Sequence, residues 1–191
     1  MPAVTPRSLV LWYPDWPVSA WRLATEHTVE RIDSRPIGTD HGPFVLHTYR
    51  DRLTRGLHFA LARGEWTDAD PVLVRVQPQN PLADALHWRR DDFGPLVGDV
   101  LALIAAEGRG VLVLLGDAPD AEATLARIRE QPAPPASKAG ALAQWRRNGA
   151  GSQILADLGA RHLRVLGTPR RQVGLAGYGL EVVDYVALPA R

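Results

Sequence analysis

Between positions 148 and 186 the apolar residues change their period twice. Ile154, Leu155 and Leu158 fall at helical spacing, and Gly159 follows where a left-handed cap is wanted. Residues 162–166 then alternate polar and apolar like a strand. An Arg-rich segment leads to Gly177-Tyr178-Gly179, and residues 180–186 read as a second strand. Helix, strand, turn and strand in that order predict part of an α/β layer.

Further upstream, residues 44–49 and 57–62 both alternate, and residues 50–56 join them. Gly56 supplies a candidate positive φ, so the pattern predicts a hairpin. Pro36, Gly38, Gly42 and Pro43 mark a loop before it, and residues 24–32 read as the end of a helix or a linker. Residues 72–76 form a third strand. Residues 95–106 form a helix with Leu96, Val97, Val100, Leu101 and Ile104 on one face. The apolar run 111–115 suits a strand buried on both faces. Residues 119–129 predict another helix, 131–137 with three prolines a stiff linker, and 139–147 a further helix. Trp12, Trp16 and Trp21 stand among Pro14 and Pro17 in the first two dozen residues. They suit a strand and turn folded on the body, a docking patch, or a remnant unrelated to the fold.

Composition narrows the classes. A chain of 191 residues with 46% hydrophobic content builds one core, and 22 basic against 21 acidic residues give no general argument for nucleic acid. The balance shifts locally: residues 138–191 hold 8 Lys/Arg and 3 Asp/Glu, a field suited to an anion or to a solvated face. The absence of cysteine excludes disulfides, thiolate metal sites and a cysteine nucleophile, and is compatible with a cytoplasmic location. The early apolar run 9–13 is too short for a membrane span.

Four strings carry a family resemblance: Gly149-Ala150-Gly151-Ser152-Gln153-Ile154-Leu155, Asp157-Leu158-Gly159-Ala160-Arg161, Leu166-Gly167-Thr168-Pro169-Arg170-Arg171 and Gly174-Leu175-Ala176-Gly177-Tyr178-Gly179-Leu180. Together they resemble the C-terminal part of GTP cyclohydrolase II, an enzyme of riboflavin synthesis. Tyr49-Arg50-Asp51-Arg52 and Leu57-His58-Phe59-Ala60-Leu61 add to the likeness. It is closest to the cyclohydrolase-like half of bifunctional proteins in which a dihydroxybutanone phosphate synthase comes first. The resemblance implies an α/β (α+β) fold: a mixed sheet with an N-terminal antiparallel hairpin region and a C-terminal helix–strand–helix–strand layer. It divides the chain into a Trp/Pro-rich segment and connector over 1–30 and a cyclohydrolase II-like domain over 31–191.

What the family does with this fold is a zinc reaction. A zinc-activated water opens the guanine imidazole ring of GTP, releasing formate and pyrophosphate, and three cysteines hold the metal. On the resemblance Asn80, Asp91 and Phe93 occupy the three ligand positions, so zinc is expected for the family but its ligands are absent. Asp84, His87, Asp91 and Asp92 are the residues from which another metal site would be rebuilt; surface ion pairs are the plainer reading. The triphosphate loop of the family is replaced after residue 115 by Gly116-Asp117-Ala118-Pro119-Asp120-Ala121-Glu122, whose carboxylates repel phosphate. At the arginine-nucleophile position Arg146 remains, while the proposed general base has become Gln144, which takes no proton at neutral pH.

Thr168, Arg170 and Arg171 remain as candidate nucleotide-binding residues, against the alternative of a plain turn. Gly149 and Gly151 would either present N–H groups to phosphate or allow close helix packing. Three readings follow. One is a cyclohydrolase II-like accessory or regulatory domain for the synthase, without cofactor. One is an active GTP cyclohydrolase II with a rearranged site. One is a non-catalytic sensor of GTP or a related nucleotide. The family further implies a homodimer; the charge balance and the short apolar run lead to the expectation of no nucleic acid and no membrane among the partners.

Overall fold

A computed structural model describes residues 27–116, 121–129, 149–169 and 175–188. Seven strands make one sheet: β1 (Val29–Thr39), β2 (Gly42–Asp51), β3 (Leu57–Arg63), β4 (Pro71–Pro78), β5 (Gly110–Leu115), β6 (His162–Leu166) and β7 (Glu181–Val186). Their order across the sheet is β1-β2-β3-β5-β4-β6-β7. The first three strands pair antiparallel, β3 joins β5 antiparallel, and β5, β4, β6 and β7 run parallel. The described helices are α1 (Pro81–Asp84), α2 (Val97–Glu107), α3 (Ala121–Ile128) and α4 (149–157). Short 3-10 turns cover Asp91–Phe93 and Leu175–Tyr178.

Strand alternation sorts the core into two layers. Val72, Val74, Val111, Val113, Ala60 and Ala62 pack on one face with Ile154 and Leu155 of α4. Leu61, Leu73 and Leu112 point to the other face and meet Val100, Leu101 and Ile104 of α2. The central strands are therefore covered on both sides, which is why residues 111–115 read as an unbroken apolar run. Each fully buried Val, Leu or Ile here contributes about 1.5–3 kcal/mol of burial.

Most predicted elements are present. The hairpin is the β2–β3 pair, with Tyr49 opposite His58. Gly159 ends α4 at φ 72, as its placement suggested. Two local readings are corrected. Residues 29–32 belong to a strand, and Pro36 and Gly38 lie inside β1 instead of in a loop. Because β1 is an edge strand, a proline with no N–H costs the sheet no ladder bond on its outer side. The positive φ of the β2–β3 turn falls on Arg55 (φ 63), not on Gly56. The Asp51 carboxylate imposes that turn by accepting the N–H groups of Leu53 and Thr54, at 2.6 and 2.9 Å. Between β6 and β7, where described, lies the short 3-10 helix Leu175–Tyr178. The predicted helix 139–147, the linker 131–137 and the tryptophans at 12, 16 and 21 lie outside the described residues.

Candidate functional site

β4 connects through α2 to β5 on one side of it, whereas β6 leads to β7 on the other. Ligands of open α/β sheets bind where such connections diverge, outside the carboxyl ends of the strands. Here that point lies between the ends of β4 and β6. Arg75 fills it from the α2 side. Its Nη1 donates to the Leu166 carbonyl at 2.9 Å and its Nε to Gln77 Oε1 at 3.2 Å. Gln77 in turn donates to the Pro95 carbonyl at 3.4 Å. Two glycines make room for the guanidinium: a Cβ at Gly167 would stand 2.8 Å from Arg75 Nη1, and one at Gly94 would stand 3.4 Å from Nη2. Thr168 is exposed at the rim, directly after Gly167.

The loop from β4 to α2 is built on structural contacts. Asn80 is the N-cap of α1, its side chain accepting the Ala83 N–H at 3.5 Å. Asp84 accepts the Asn80 N–H through Oδ2 and the Val97 N–H through Oδ1, both at 3.2 Å. One carboxylate thus ties the loop to the start of α2, a helix whose N-cap Leu96 offers no side-chain acceptor. Phe93 meets Trp88 edge-on, centroids 5.4 Å apart at 78°. The Arg90 guanidinium lies 5.0 Å from the Phe93 centroid and 5.4 Å from that of Trp88, and it bonds Asp92 at 3.0 Å. Arg89 clasps Asp99 with two bonds of 2.6 and 3.1 Å. His87 sits at φ 53 in this loop. Among the described residues no three His, Asp or Glu side chains come together as a metal site. An amide engaged as a helix cap and an aromatic ring in a cation–aromatic stack do not fit zinc.

A profile of the family described as GTP cyclohydrolase II matches residues 30–187. The chain belongs to the GTP cyclohydrolase II family. It is 39% identical over 88% of its length to a 3,4-dihydroxy-2-butanone 4-phosphate synthase of Pseudomonas syringae pv. tomato, covering 46% of that protein. It is 37% identical over 90% of its length to the riboflavin biosynthesis protein RibBA of Mycolicibacterium paratuberculosis, covering 44% of it. Among solved structures it resembles RibBX, a two-domain 3,4-dihydroxy-2-butanone 4-phosphate synthase from A. baumannii. There the TM-score is 0.54 and the identity 30%, over 90% of this chain and 43% of the other. The chain therefore spans less than half the length of these relatives.

Placed on this cyclohydrolase II scaffold, the sequence-predicted residues divide. Asn80 and Phe93 are structural, and Asp91 opens the 3-10 turn beside Phe93. Asp84, His87 and Asp92 share the loop, but Asp84 is engaged with the backbone and Asp92 with Arg90. Gln144, Arg146, Arg170 and Arg171 lie outside the described residues, as do positions 117–120 of the altered phosphate loop. Gly151 has a packing reason: a Cβ there would stand 2.7 Å from Val76 Cγ1.

A buried polar cluster went unassigned in the sequence. His58 accepts the Gly116 N–H at its Nδ1 (3.0 Å), which leaves the proton of a neutral ring on Nε2. That Nε2 is 3.7 Å from Asp51 Oδ2, and both residues are buried. Among the described residues it is the buried side-chain polar atom left without a hydrogen bond. Nearby, Gln153 clamps the start of the sheet. Its Oε1 accepts the Thr28 and Val29 N–H groups at 2.7 and 3.2 Å, and its Nε2 donates to Thr28 Oγ1. Tyr49 donates to Asp157 at 2.7 Å, and Arg31 pairs with the same carboxylate at 2.9 Å. Burial, then the Asp157 bond, push the Tyr49 phenol up. Burial and Arg31 hold the His47 imidazole below its ordinary value. The family strings quoted around Tyr49, His58 and Gln153 were the available signal, but no string says which strands bring these residues together.

Proposed function

We propose that this chain is a non-catalytic cyclohydrolase II-like domain that supports a dihydroxybutanone phosphate synthase. The observation that carries the reading is the loop between β4 and α2. Where the family places metal ligands, this chain has a helix cap at Asn80 and a stacked ring at Phe93. The relatives support the partner, since chains about twice as long carry the synthase name or that of RibBA. The support would consist of binding or stabilising the partner, or of setting its oligomeric state. Within this reading the protein works in the cytoplasm as a homodimer, and no cofactor is required. No described helix is long and apolar enough to cross a membrane.

The test has two arms. The synthase is assayed with and without an equimolar amount of this chain; a change in its rate or thermal midpoint is expected. In parallel, GTP and zinc are added to this chain alone and formate is measured. An unaltered synthase rules out the supporting role, and formate release favours an active GTP cyclohydrolase II with a rearranged site.

One observation favours a second reading, a nucleotide sensor. Arg75 places a guanidinium in the crevice beside exposed Thr168, and Arg170 and Arg171 follow in sequence. Calorimetry with GTP on the wild type and on Arg171→Ala separates the readings. Binding weakened by the substitution supports the sensor, and no heat at millimolar GTP removes it.

A further inference from the structure

Strand alternation puts His58 on the face of the sheet that carries Ala60 and Ala62 and is covered by α4. The side chain is 1% exposed, and a buried imidazole normally has both ring nitrogens engaged. Here one is. Nδ1 accepts the Gly116 N–H at 3.0 Å, so the single proton of the ring sits on Nε2. Nε2 is without a hydrogen bond and stands 3.7 Å from Asp51 Oδ2. Asp51 is buried as well, and its Oδ1 accepts the N–H groups of Leu53 and Thr54 in the β2–β3 turn. His58 thus stands between the turn that Asp51 shapes and the residue at which β5 ends.

The backbone around the ring leaves it little freedom. A Cβ at Gly116 would stand 1.8 Å from the Leu57 carbonyl oxygen, so the end of β5 lies directly against the residue before His58. The Leu115 carbonyl accepts the Gln79 N–H at 3.0 Å, which holds the same end from the β4 side. A second ring proton turns Nδ1 from an acceptor into a donor. Two donors then face each other across the 3.0 Å now spanned by the hydrogen bond, while Nε2–H faces a carboxylate as half of an ion pair. Closing that pair takes a shift of about 1 Å, from 3.7 Å to the length of a charge-assisted hydrogen bond. The other titratable groups that neighbouring elements bring to this face have partners of their own. Tyr49, opposite His58 on β2, donates to Asp157 of α4, which also pairs with Arg31 of β1. His47, further along β2, is bonded to Ser34. Residues 149–153 of α4 and the end of β5 at Leu115 and Gly116 carry no titratable side chain.

We propose that Asp51, His58 and Gly116 form a proton-driven latch on the end of β5. With one proton on the ring, His58 holds Gly116 and stands clear of Asp51. With two, it releases Gly116 and closes on Asp51. Gly116 is where the chain leaves the sheet, directly before the carboxylates at positions 117, 120 and 122, so the latch sets how firmly that exit is held. Histidine is the side chain whose ordinary titration crosses the physiological range, which makes it the usual element of such devices. The proposal stands apart from the supporting role of the domain, and either can fail without the other.

The test follows the His58 ring nitrogens and the Gly116 amide by NMR in the isotope-labelled full-length protein, from about pH 8 to about pH 5. At the alkaline end Nδ1 is expected to give the shift of a bare nitrogen and Nε2 that of a protonated one. At the acid end both are expected to be protonated, and the protection of the Gly116 amide from exchange to fall about fivefold to tenfold, the loss of one hydrogen bond. His58→Asn keeps an acceptor near the place of Nδ1 and takes no proton, so Gly116 protection should stay level across the range. Asp51→Asn keeps the acceptor of the turn without its charge and should move the change to lower pH. The reverse tautomer at the alkaline end overturns the proposal, as does a ring that gains no second proton or Gly116 protection that stays level while it does. So does a fall that persists in His58→Asn or is unmoved in Asp51→Asn. The tautomer and protection measurements need only the wild type, and so decide the matter even where a variant does not fold.

Discussion

Two regions flank β4, and they have kept different things. On one face, α4 retains the cyclohydrolase II strings around Gly151, Gln153, Ile154 and Gly159, and each of these residues holds the fold together. They provide, in turn, the close approach to Val76, the Thr28 clamp, part of the core and the helix cap. Beyond the carboxyl end of the same strand, the loop to α2 is held by a cap, a carboxylate staple and a cation–aromatic stack. The residues that carry a family's signature on a scaffold need not be those that carry its chemistry. Residues that hold the fold cannot change without destabilising it. Ligands in a loop can be replaced whenever other contacts keep the loop ordered.

Substitutions probe that contrast. Ile154→Ala removes a side chain with no exposed surface from the α4 layer. It is expected to cost about 3 kcal/mol, read as a fall in the urea midpoint at unchanged slope. Gly151→Ala forces a methyl group against Val76 and is expected to cost about 2 kcal/mol. Val76→Ala in the same chain should return part of that loss, and a strictly additive double mutant would refute the close-packing role of Gly151. In the loop, Phe93→Ala loses its stack on Trp88 and Arg90 and is expected to cost only about 1 kcal/mol. A loss equal to that of Ile154→Ala would mean that the loop belongs to the core and erase the contrast.

The smallest effect is a pH dependence. The folded chain holds the His47 imidazole below its ordinary 6.5, so it binds that proton less readily than the unfolded chain does. The contribution to stability is present above pH 6.5 and is lost as the pH falls through the lower folded value. A thermal midpoint that declines on acidification below pH 6.5 is expected. His47→Asn should flatten the decline, and an unchanged slope in that variant would assign the acid sensitivity elsewhere.

Much of this architecture was legible from residue spacing. The period of two in β2–β3 and the apolar run of β5 reported strands with one or two covered faces, and Gly159 reported a helix end. β1 was missed because an edge strand carries the charges Glu30, Arg31, Asp33 and Arg35 and tolerates Pro36, so its apolar signal is weak. The turn was placed correctly but its strained residue was not, since the Asp51 side chain, and not a glycine, sets the conformation at Arg55. At the site, it could be read from residue type alone that Asn80 and Phe93 do not suit zinc. The contacts that order the loop could not, because the stack of Trp88, Arg90 and Phe93 and the reach of Asp84 to Val97 depend on how the loop closes. The pairing of Asp51 with His58 is likewise a product of strand register.

The central proposal is that this cyclohydrolase II scaffold does not carry out the zinc reaction that its sequence resemblance implies. Its most direct test is formate release from GTP by the full-length protein after dialysis against zinc, with bound metal quantified in the same sample. Formate at the level of the protein-free blank, with zinc well below one per chain, is the expected result. Stoichiometric zinc with sustained formate release would contradict it.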